Sequence, residues 1–396
     1  MTKDEQIQEI LTRGVERVYP SREFLEAKLR SGEPQTFYLG IDPTGPSLHL
    51  GHLIPLLKLR QFQALGHHIT LLIGDFTGMI GDPTDKSAVR KRLTRREVLE
   101  NARLYKEQAS RVISFGWRNG AKLAYNSDWL GKLSFEDSFD ILAQMTHAQA
   151  IKRDMFQERI TAGKDLYLHE FLYPMMQGYD SVAMNVDGEV GGNDQTFNML
   201  VGRDLLKKMK NKEKTVVAMR LLTDSTGKKM GKTEGNMVAF SDSPREIFGT
   251  IMSWPDSMIL SGFELCTIVP LSEIDEAKKQ LESGANPKEI KMRLAEAVVS
   301  LLHGEGEAKG ARAGFDATFT KGRPNEFVEV SFAGGVVVDT LIVKEIVKSK
   351  SDLRRLIAEG ALTNLDTNQK VGEEFLTNPQ AGKYRLGKHR FIKITT

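Results

Sequence analysis

The stretch from Thr36 to Asp75 constrains this chain more than any other. Thr36–Ile41 is an apolar, strand-like run, Asp42-Pro43-Thr44-Gly45-Pro46 is a turn, and residues from about 47 to 65 carry a helical apolar pattern. A second apolar strand follows at Ile69–Asp75, with Gly66 standing where a helix of that length needs a left-handed stop. A strand feeding a helix and then a strand is the opening unit of a parallel sheet, whose ligand sits beyond the carboxyl ends of the strands. The turn and the helix N-terminus lie at that end. His49 and His52, spaced i, i+3, share one face of the first helical turn beside the positive end of the helix dipole. Their ring N–H groups would add to exposed backbone donors in holding an anion. A metal pair is the competing reading, but no Cys/His cluster elsewhere completes a site, and Cys266 is the only cysteine. Pro55, inside the helix, predicts a lost backbone bond and a kink.

The remaining segments extend this pattern. Residues 4–31 read as amphipathic helix, with Ser21 capping a second helix that runs to about Ser31. The loop from Gly74 to Pro83 contains Gly74, Gly78 and Gly81, which let backbone approach a ligand closely. Lys86 to Arg96 is strongly basic: a solvated face or, from its position after a ligand loop, a phosphate clamp. Residues 97–115 read as helix, Lys122–Tyr125 as a short strand, and Phe135 to about Tyr179 as a mostly helical insertion. Strand signals return at Ser181–Val186 and Thr215–Met219. Between them Gly191-Gly192-Asn193-Asp194-Gln195 opens a helix to about Lys210, with Asn193 as its cap. The section from Ser243 to about Phe319 is helix-rich, punctuated at Pro255, Pro270 and Pro287, and Gly322-Arg323-Pro324-Asn325 reads as a linker. A short apolar strand, a helix over Ser351–Glu359 stopped by Gly360, and basic strands ending at Ile394 complete the chain.

Two constellations carry chemistry. Lys229-Met230-Gly231-Lys232-Thr233 invites a P-loop reading at Gly231-Lys232-Thr233, but that motif needs glycine where Thr226 stands and should run into a helix, not the turn Glu234-Gly235-Asn236. Tyr173, Gln177 and Asp180, spaced i, i+4, i+7, form a polar stripe on one helix face, flanked by Phe171, Leu172, Met175 and Met176. A polar stripe is usually solvated surface. Two uncharged members in an apolar setting favour a pocket wall.

Asp42-Pro43-Thr44 followed by His49-Leu50-Gly51-His52 resembles the first ATP motif of the class I aminoacyl-tRNA synthetases. Lys229-Met230-Gly231-Lys232-Thr233 is similar to their second, Lys-Met-Ser-Lys-Ser, with both lysines retained and Gly and Thr in place of the serines. Tyr173, Gln177 and Asp180, with Tyr38 and Asp82, resemble the amino-acid pocket of the bacterial tyrosyl-tRNA synthetases, and the likeness covers nearly the whole chain. It implies that Tyr38 and Asp180 meet the substrate's phenolic hydroxyl, that Asp82, Tyr173 and Gln177 hold its ammonium, and that Gln195 lies near its carboxylate. Asp42, Thr44, His49, Gly51, His52, Gly192 and Asp194 fall to the ATP side, with Met230, Gly231 and Thr233 of the second motif. Lys86, Arg90, Lys229 and Lys232 would hold departing pyrophosphate. The implied fold is α/β: a Rossmann-like parallel-sheet catalytic domain over 1–226 with a helical insertion at about 130–180. An α-helical anticodon-binding domain over 227–322 and a small α+β RNA-binding domain over 328–396 would follow.

The chemistry suits these roles. A tyrosine carboxylate is ionised at neutral pH and needs no general base to attack the α-phosphate of ATP. Imidazole and lysine donors would act by positioning and by stabilising charge on the phosphate oxygens, aided by Mg2+ carried on ATP, with no protein-bound metal. The terminal adenosine of tRNA(Tyr) would then attack the activated carbonyl. Phenylalanine would leave an acceptor and a hydroxyl built for a phenol unpaired, a selectivity for which tyrosyl-tRNA synthetases are themselves the standard illustration. The family also implies a homodimer formed through the insertion.

Composition bounds the alternatives. A chain of 396 residues with 40% hydrophobic and 27% charged residues is ordinary globular protein of two or three domains. No signal pattern opens it, no apolar run approaches a membrane span, and one cysteine allows no internal disulfide; a cytoplasmic location is expected. Net charge is only +3, but from Lys344 onward Lys and Arg number 11 against 6 Asp and Glu. A basic tail on a near-neutral body points to RNA or to a merely solvated surface. The tail resembles a small RNA-binding module first recognised in a ribosomal protein, with Arg354, Arg355, Lys388 and Arg390 as phosphate contacts. A tryptophanyl-tRNA synthetase, a synthetase-like RNA-binding protein without activity, and a small-molecule nucleotidyltransferase remain as rivals.

Overall fold

The computed structural model describes residues 1–82, 93–116, 119–223, 237–319, 327–331, 337–344, 346–347, 349–367, 369–377, 379–387 and 390–395. Lys86, Arg90, Lys229, Met230, Gly231, Lys232, Thr233 and Lys388 lie outside them. The chain forms two compact units, Met1–Lys309 and Gly310–Thr396.

The first unit is built on six strands: β1 (Val15–Tyr19), β2 (Thr36–Ile41), β3 (His68–Ile73), β4 (Lys122–Tyr125), β5 (Gly188–Gly192) and β6 (Thr215–Met219). Their order is β1-β6-β5-β2-β3-β4, parallel throughout except where β1 joins the β6 edge antiparallel. From β2 the chain winds toward β4, whereas β5 starts the opposite wing. The switch point between β2 and β5 is where loops diverge and a ligand crevice opens. The central strands are buried on both faces, and Phe37 stacks on Phe62 of the crossover helix Leu50–Ala64 at 3.8 Å. That helix ends at Leu65, and Gly66 takes the expected left-handed conformation at φ 91°.

Three expectations change. Residues 4–31 are two helices, Lys3–Thr12 and Arg22–Arg30, separated by β1; Ser21 caps the second as expected. Gly14 at φ 64° ends the first helix, and the alternating Val15–Tyr19 completes the sheet edge. The strand expected at Ser181–Val186 is instead the end of the helix Leu168–Met184, where Val182 packs into a core with Met175, Val201 and Leu205. The strand itself, β5, begins at Gly188, whose missing side chain leaves room for Phe37: a Cβ there would stand 2.3 Å from the ring. Its run of glycines hides it from any β-propensity reading. Finally, Asn193 does not cap a helix by its side chain. A short 3-10 turn, Asn193–Gln195, leads into the helix Thr196–Lys210, and the Asn193 side chain accepts from the Thr196 hydroxyl at 3.1 Å.

The prolines punctuate the helical section as expected. Pro255 and Pro270 precede helical turns at Asp256–Met258 and Leu271–Glu282, and Pro287 is the first residue of Pro287–His303.

The second unit carries β7 (Val328–Ser331), β8 (Leu362–Asn364), β9 (Gln369–Lys370), β10 (Gly382–Leu386) and β11 (Arg390–Thr395), ordered β7-β11-β10-β8-β9 with only β7–β11 parallel. The helix Lys350–Ala358 starts at Ser349, whose hydroxyl accepts from the Asp352 N–H, and Gly360 follows at φ 68°. Leu341, Leu353, Leu362, Tyr384 and Ile392 form its own core.

Candidate active site

A cavity of about 290 Å³ opens at the carboxyl ends of β2, β3, β5 and β6. Asp42, Thr44, His49, Gly51, His52, Asp82, Tyr173, Gln177, Asp180, Gly192, Asp194 and Gln195 all line it. Of the site residues named from the sequence and described in the first unit, only Tyr38 is not on the wall.

The end of the cavity at the crossover-helix N-terminus is organised by the turn after β2. Asp42 accepts from Thr77 Oγ1 at 2.7 Å and from Tyr173 Oη at 2.8 Å, joining the turn to the Gly74 loop and to the helix Leu168–Met184. His49 is the N-cap of the crossover helix. Its Nδ1 accepts from the Gly51 N–H at 3.1 Å, and His52 Nδ1 accepts from the His49 N–H at 3.2 Å. With both Nδ1 atoms accepting, the proton of each neutral ring belongs on Nε2. The rings lie 3.9 Å apart, so the two imidazoles present a paired donor edge at the helix N-terminus. Backbone bonds from Leu50 N to Val238 O and from Phe240 N to Leu48 O fasten the chain just after residue 236 to this turn, and Leu221 and Leu222, just before residue 224, line the cavity.

The opposite end is polar and buried. Asp180 is 2% exposed; its carboxylate accepts from Trp129 Nε1 at 2.7 Å and Asn126 Nδ2 at 3.3 Å. Burial pushes its carboxyl well above the usual range, against the pull of those two donors, and Glu189 and Asp42 push the same way. Tyr173 is likewise raised by burial, beside Asp42 and Asp82. Asp82 receives Arg153 at 2.6 Å, Gln195 Nε2 at 2.9 Å and Asn198 Nδ2 at 3.1 Å. Gln177 Nε2 reaches Glu189 at 3.4 Å, while Gln177 Oε1 is buried with no partner. A buried acceptor without a donor is costly and marks where a ligand donor belongs.

Tyr38 is fully buried below this floor, its hydroxyl 2.9 Å from Ser181 Oγ. Its ring packs with Leu72 and Val186, against Trp129, so it touches the cluster that orients Asp180 without reaching the cavity wall. Asn126, Trp129, Arg153, Glu189 and Asn198 were not singled out from the sequence. Asn126 and Trp129 share the helical turn after β4 while the other three come from elsewhere in the chain, and only the fold brings them to the stripe on the helix Leu168–Met184.

A family model described as tRNA synthetases class I (W and Y) matches residues 30–320. The chain belongs to the class I tRNA synthetases. Family membership implies ATP as a substrate. This class I synthetase is 41% identical over 388 residues to Tyrosine--tRNA ligase 2 of Vibrio cholerae, covering 97% of each chain. It is 40% identical over 398 residues to Tyrosine--tRNA ligase of Photobacterium profundum, covering 100% of both. Its fold is similar to that of a C-terminally truncated mitochondrial tyrosyl-tRNA synthetase from Coccidioides posadasii, with a TM-score of 0.65 and 26% identity over 78% of this chain and 91% of that one. Among the described residues no helix is long and apolar enough to cross a membrane.

In the second unit, Arg354 and Arg355 are exposed on the helix Lys350–Ala358, with Arg355 paired to Asp352 at 2.8 Å and Glu359 at 3.4 Å. Arg390 donates to the Ile346 carbonyl at 2.6 Å and is half-buried.

Proposed function

We infer that the chain activates tyrosine with ATP to give tyrosyl-adenylate and pyrophosphate, then transfers the tyrosyl group to the 3′-terminal adenosine of tRNA(Tyr). The observation that carries this reading is the single cavity in which Gln177 Oε1 stands buried and unpaired between Asp82, Tyr173 and Asp180 at one end, with the His49–His52 donor edge at the other. An ammonium would satisfy Gln177, and Asp180, held by Trp129 and Asn126, would accept a phenolic proton. The relatives named tyrosine–tRNA ligases, at about 40% identity over the full length, support the same substrate.

In the mechanism, Asp82, Tyr173 and Gln177 bind the ammonium, and Gln195 places the carboxylate for in-line attack on the α-phosphate. Asp42, Thr44, Gly51, Gly192 and Asp194 hold the nucleotide side. The Nε2–H groups of His49 and His52 aim at the phosphate charge that grows in the transition state. Lys86, Arg90, Lys229 and Lys232 take the leaving pyrophosphate, and Met230, Gly231 and Thr233 are assigned to ATP. The anchoring of residues 238–240 beside His49 supports that role for the second motif. Mg2+ bound to ATP offsets its phosphate charge, and no group of this chain is assigned to it.

We assign 1–226 to catalysis, 227–322 to the second motif and anticodon binding, and 328–396, through Arg354, Arg355, Lys388 and Arg390, to tRNA phosphates. The insertion at about 130–180 is the homodimer interface: Phe135, Phe139, Tyr167 and Leu168 are 80%, 57%, 47% and 85% exposed there, a band of apolar surface that a second copy would cover.

Amino-acid-dependent pyrophosphate exchange tests the substrate. Across all twenty amino acids, tyrosine alone should stimulate exchange. Stimulation by tryptophan instead would give the tryptophanyl activity, and no exchange with any amino acid would leave an RNA-binding protein without activation chemistry.

A further inference from the structure

Beneath the cavity lies a set of buried polar groups that the reaction above leaves unused. Ser181, one residue past Asp180 on the helix Leu168–Met184, is fully buried, with Oγ 2.9 Å from Tyr38 Oη and 2.8 Å from Lys214 Nζ. Lys214, immediately ahead of β6, is itself completely buried and pairs with Glu189. Glu189 is 3% exposed, lines the cavity, and accepts from Gln177 with its other oxygen. An unbroken path therefore runs from the cavity wall at Gln177 and Glu189, through Lys214 and Ser181, to Tyr38.

The donor count gives this path a direction. An ammonium has three donors and no acceptor, so Lys214 donates to both Glu189 and Ser181 Oγ. Its charge polarises the Ser181 hydroxyl, whose proton is then best placed on Tyr38 Oη. Tyr38 accepts there, and its own proton points away from Ser181, toward the side where Glu189 and Asp180 stand. Burial lowers the Lys214 pKa, and the Glu189 carboxylate opposes that shift. A buried ion pair of purely structural use can often be replaced by apolar side chains of similar volume. This one touches the floor and the wall of the phenol end.

We propose that Lys214 is a positioning residue for phenol recognition, acting through Ser181 and Glu189 to fix the Tyr38 hydroxyl and the wall beside Asp180 in the arrangement that admits tyrosine and rejects phenylalanine. The proposal rests on the tyrosine-activating reading above.

The test is steady-state pyrophosphate exchange by the full chain, with tyrosine and with phenylalanine, for the unsubstituted protein, Lys214→Met and Ser181→Ala. Lys214→Met should raise the tyrosine KM about 10-fold or more, as expected for losing a buried charged hydrogen bond, and lower the tyrosine-to-phenylalanine ratio of kcat/KM by about the same factor. The ATP KM should stay within about 2-fold, since nothing in the path touches the nucleotide end. Ser181→Ala keeps the ion pair and removes the hydroxyl that joins Lys214 to Tyr38; a rise of about 3-fold or more in tyrosine KM is expected. A lower melting temperature or active fraction with an unchanged tyrosine KM and ratio would make the pair structural and overturn the proposal. If Lys214→Met does not fold, Ser181→Ala decides by the same two readouts. An unsubstituted protein that shows no tyrosine-dependent exchange would overturn the activation reading instead, so the two failures are distinct.

Discussion

Asp180 is a carboxylate buried where ionisation is costly, and the groups that keep it in place come from far away in sequence. Trp129 and Asn126 donate to its two oxygens, yet burial still raises its pKa. That arrangement suits an acceptor reserved for one donor, because a phenol completes it and a phenyl ring does not. Asp180→Ala should therefore reduce kcat/KM for tyrosine about 100-fold or more in pyrophosphate exchange, while the ATP KM moves less than about 3-fold. Unchanged tyrosine kinetics would remove Asp180 from the phenol end. At this scale the sequence was informative about which face of a helix matters, because Tyr173, Gln177 and Asp180 share it by spacing alone. It was silent on Glu189, Ser181 and Lys214. A lysine closing the basic run Lys207–Lys214 looks solvated, and only the β5–β6 pairing carries it under the floor.

Among the elements, those whose signal is local were legible and those defined by neighbours were not. Thr36–Ile41, Lys122–Tyr125 and Thr215–Met219 hold their expected bounds, since apolar runs flanked by turns specify strands without help. β5 was hidden by its glycines, and β1 was read as helix because its partner edge, β6, lies about 200 residues away. The crossover helix shows how one element supports another. Lys58, on its buried face, donates to the carbonyls of Ile10 at 2.7 Å and Glu9 at 3.4 Å, satisfying the C-terminal end of the helix Lys3–Thr12. Helix-end carbonyls favour a cation, but burial dominates, with Arg13 adding repulsion, and the Lys58 pKa falls to about 7. The unfolded chain keeps an ordinary lysine, so between about pH 7 and 10 it binds more protons than the folded one, and stability rises with pH across that window. Lys58→Met removes this dependence. The melting temperature of the unsubstituted protein should gain on that of Lys58→Met from pH 7 to pH 10, and parallel curves would show that Lys58 titrates normally.

For the whole molecule, the function proposed above draws activation from the first unit alone and adds contacts to tRNA phosphates from the second. Every residue assigned to the amino acid or to the nucleotide lies before 234, and the core of the second unit is drawn entirely from Val330 to Ile394. On the proposed reading, activation draws no residue from that core. Transfer is different: the tRNA is a polyanion whose affinity grows with each phosphate contact, and from Lys344 onward 11 Lys and Arg stand against 6 Asp and Glu. Deleting residues 328–396 should accordingly leave tyrosine-dependent pyrophosphate exchange within about 3-fold of the full chain while raising the tRNA KM in aminoacylation by about 10-fold or more, since each lost phosphate contact weakens binding. The defect should shrink as salt is lowered, because the remaining contacts then bind more strongly. Equal loss of exchange and aminoacylation would mean instead that the second unit supports the folding of the first, and a salt-independent defect would mean that it recognises something other than the phosphate backbone.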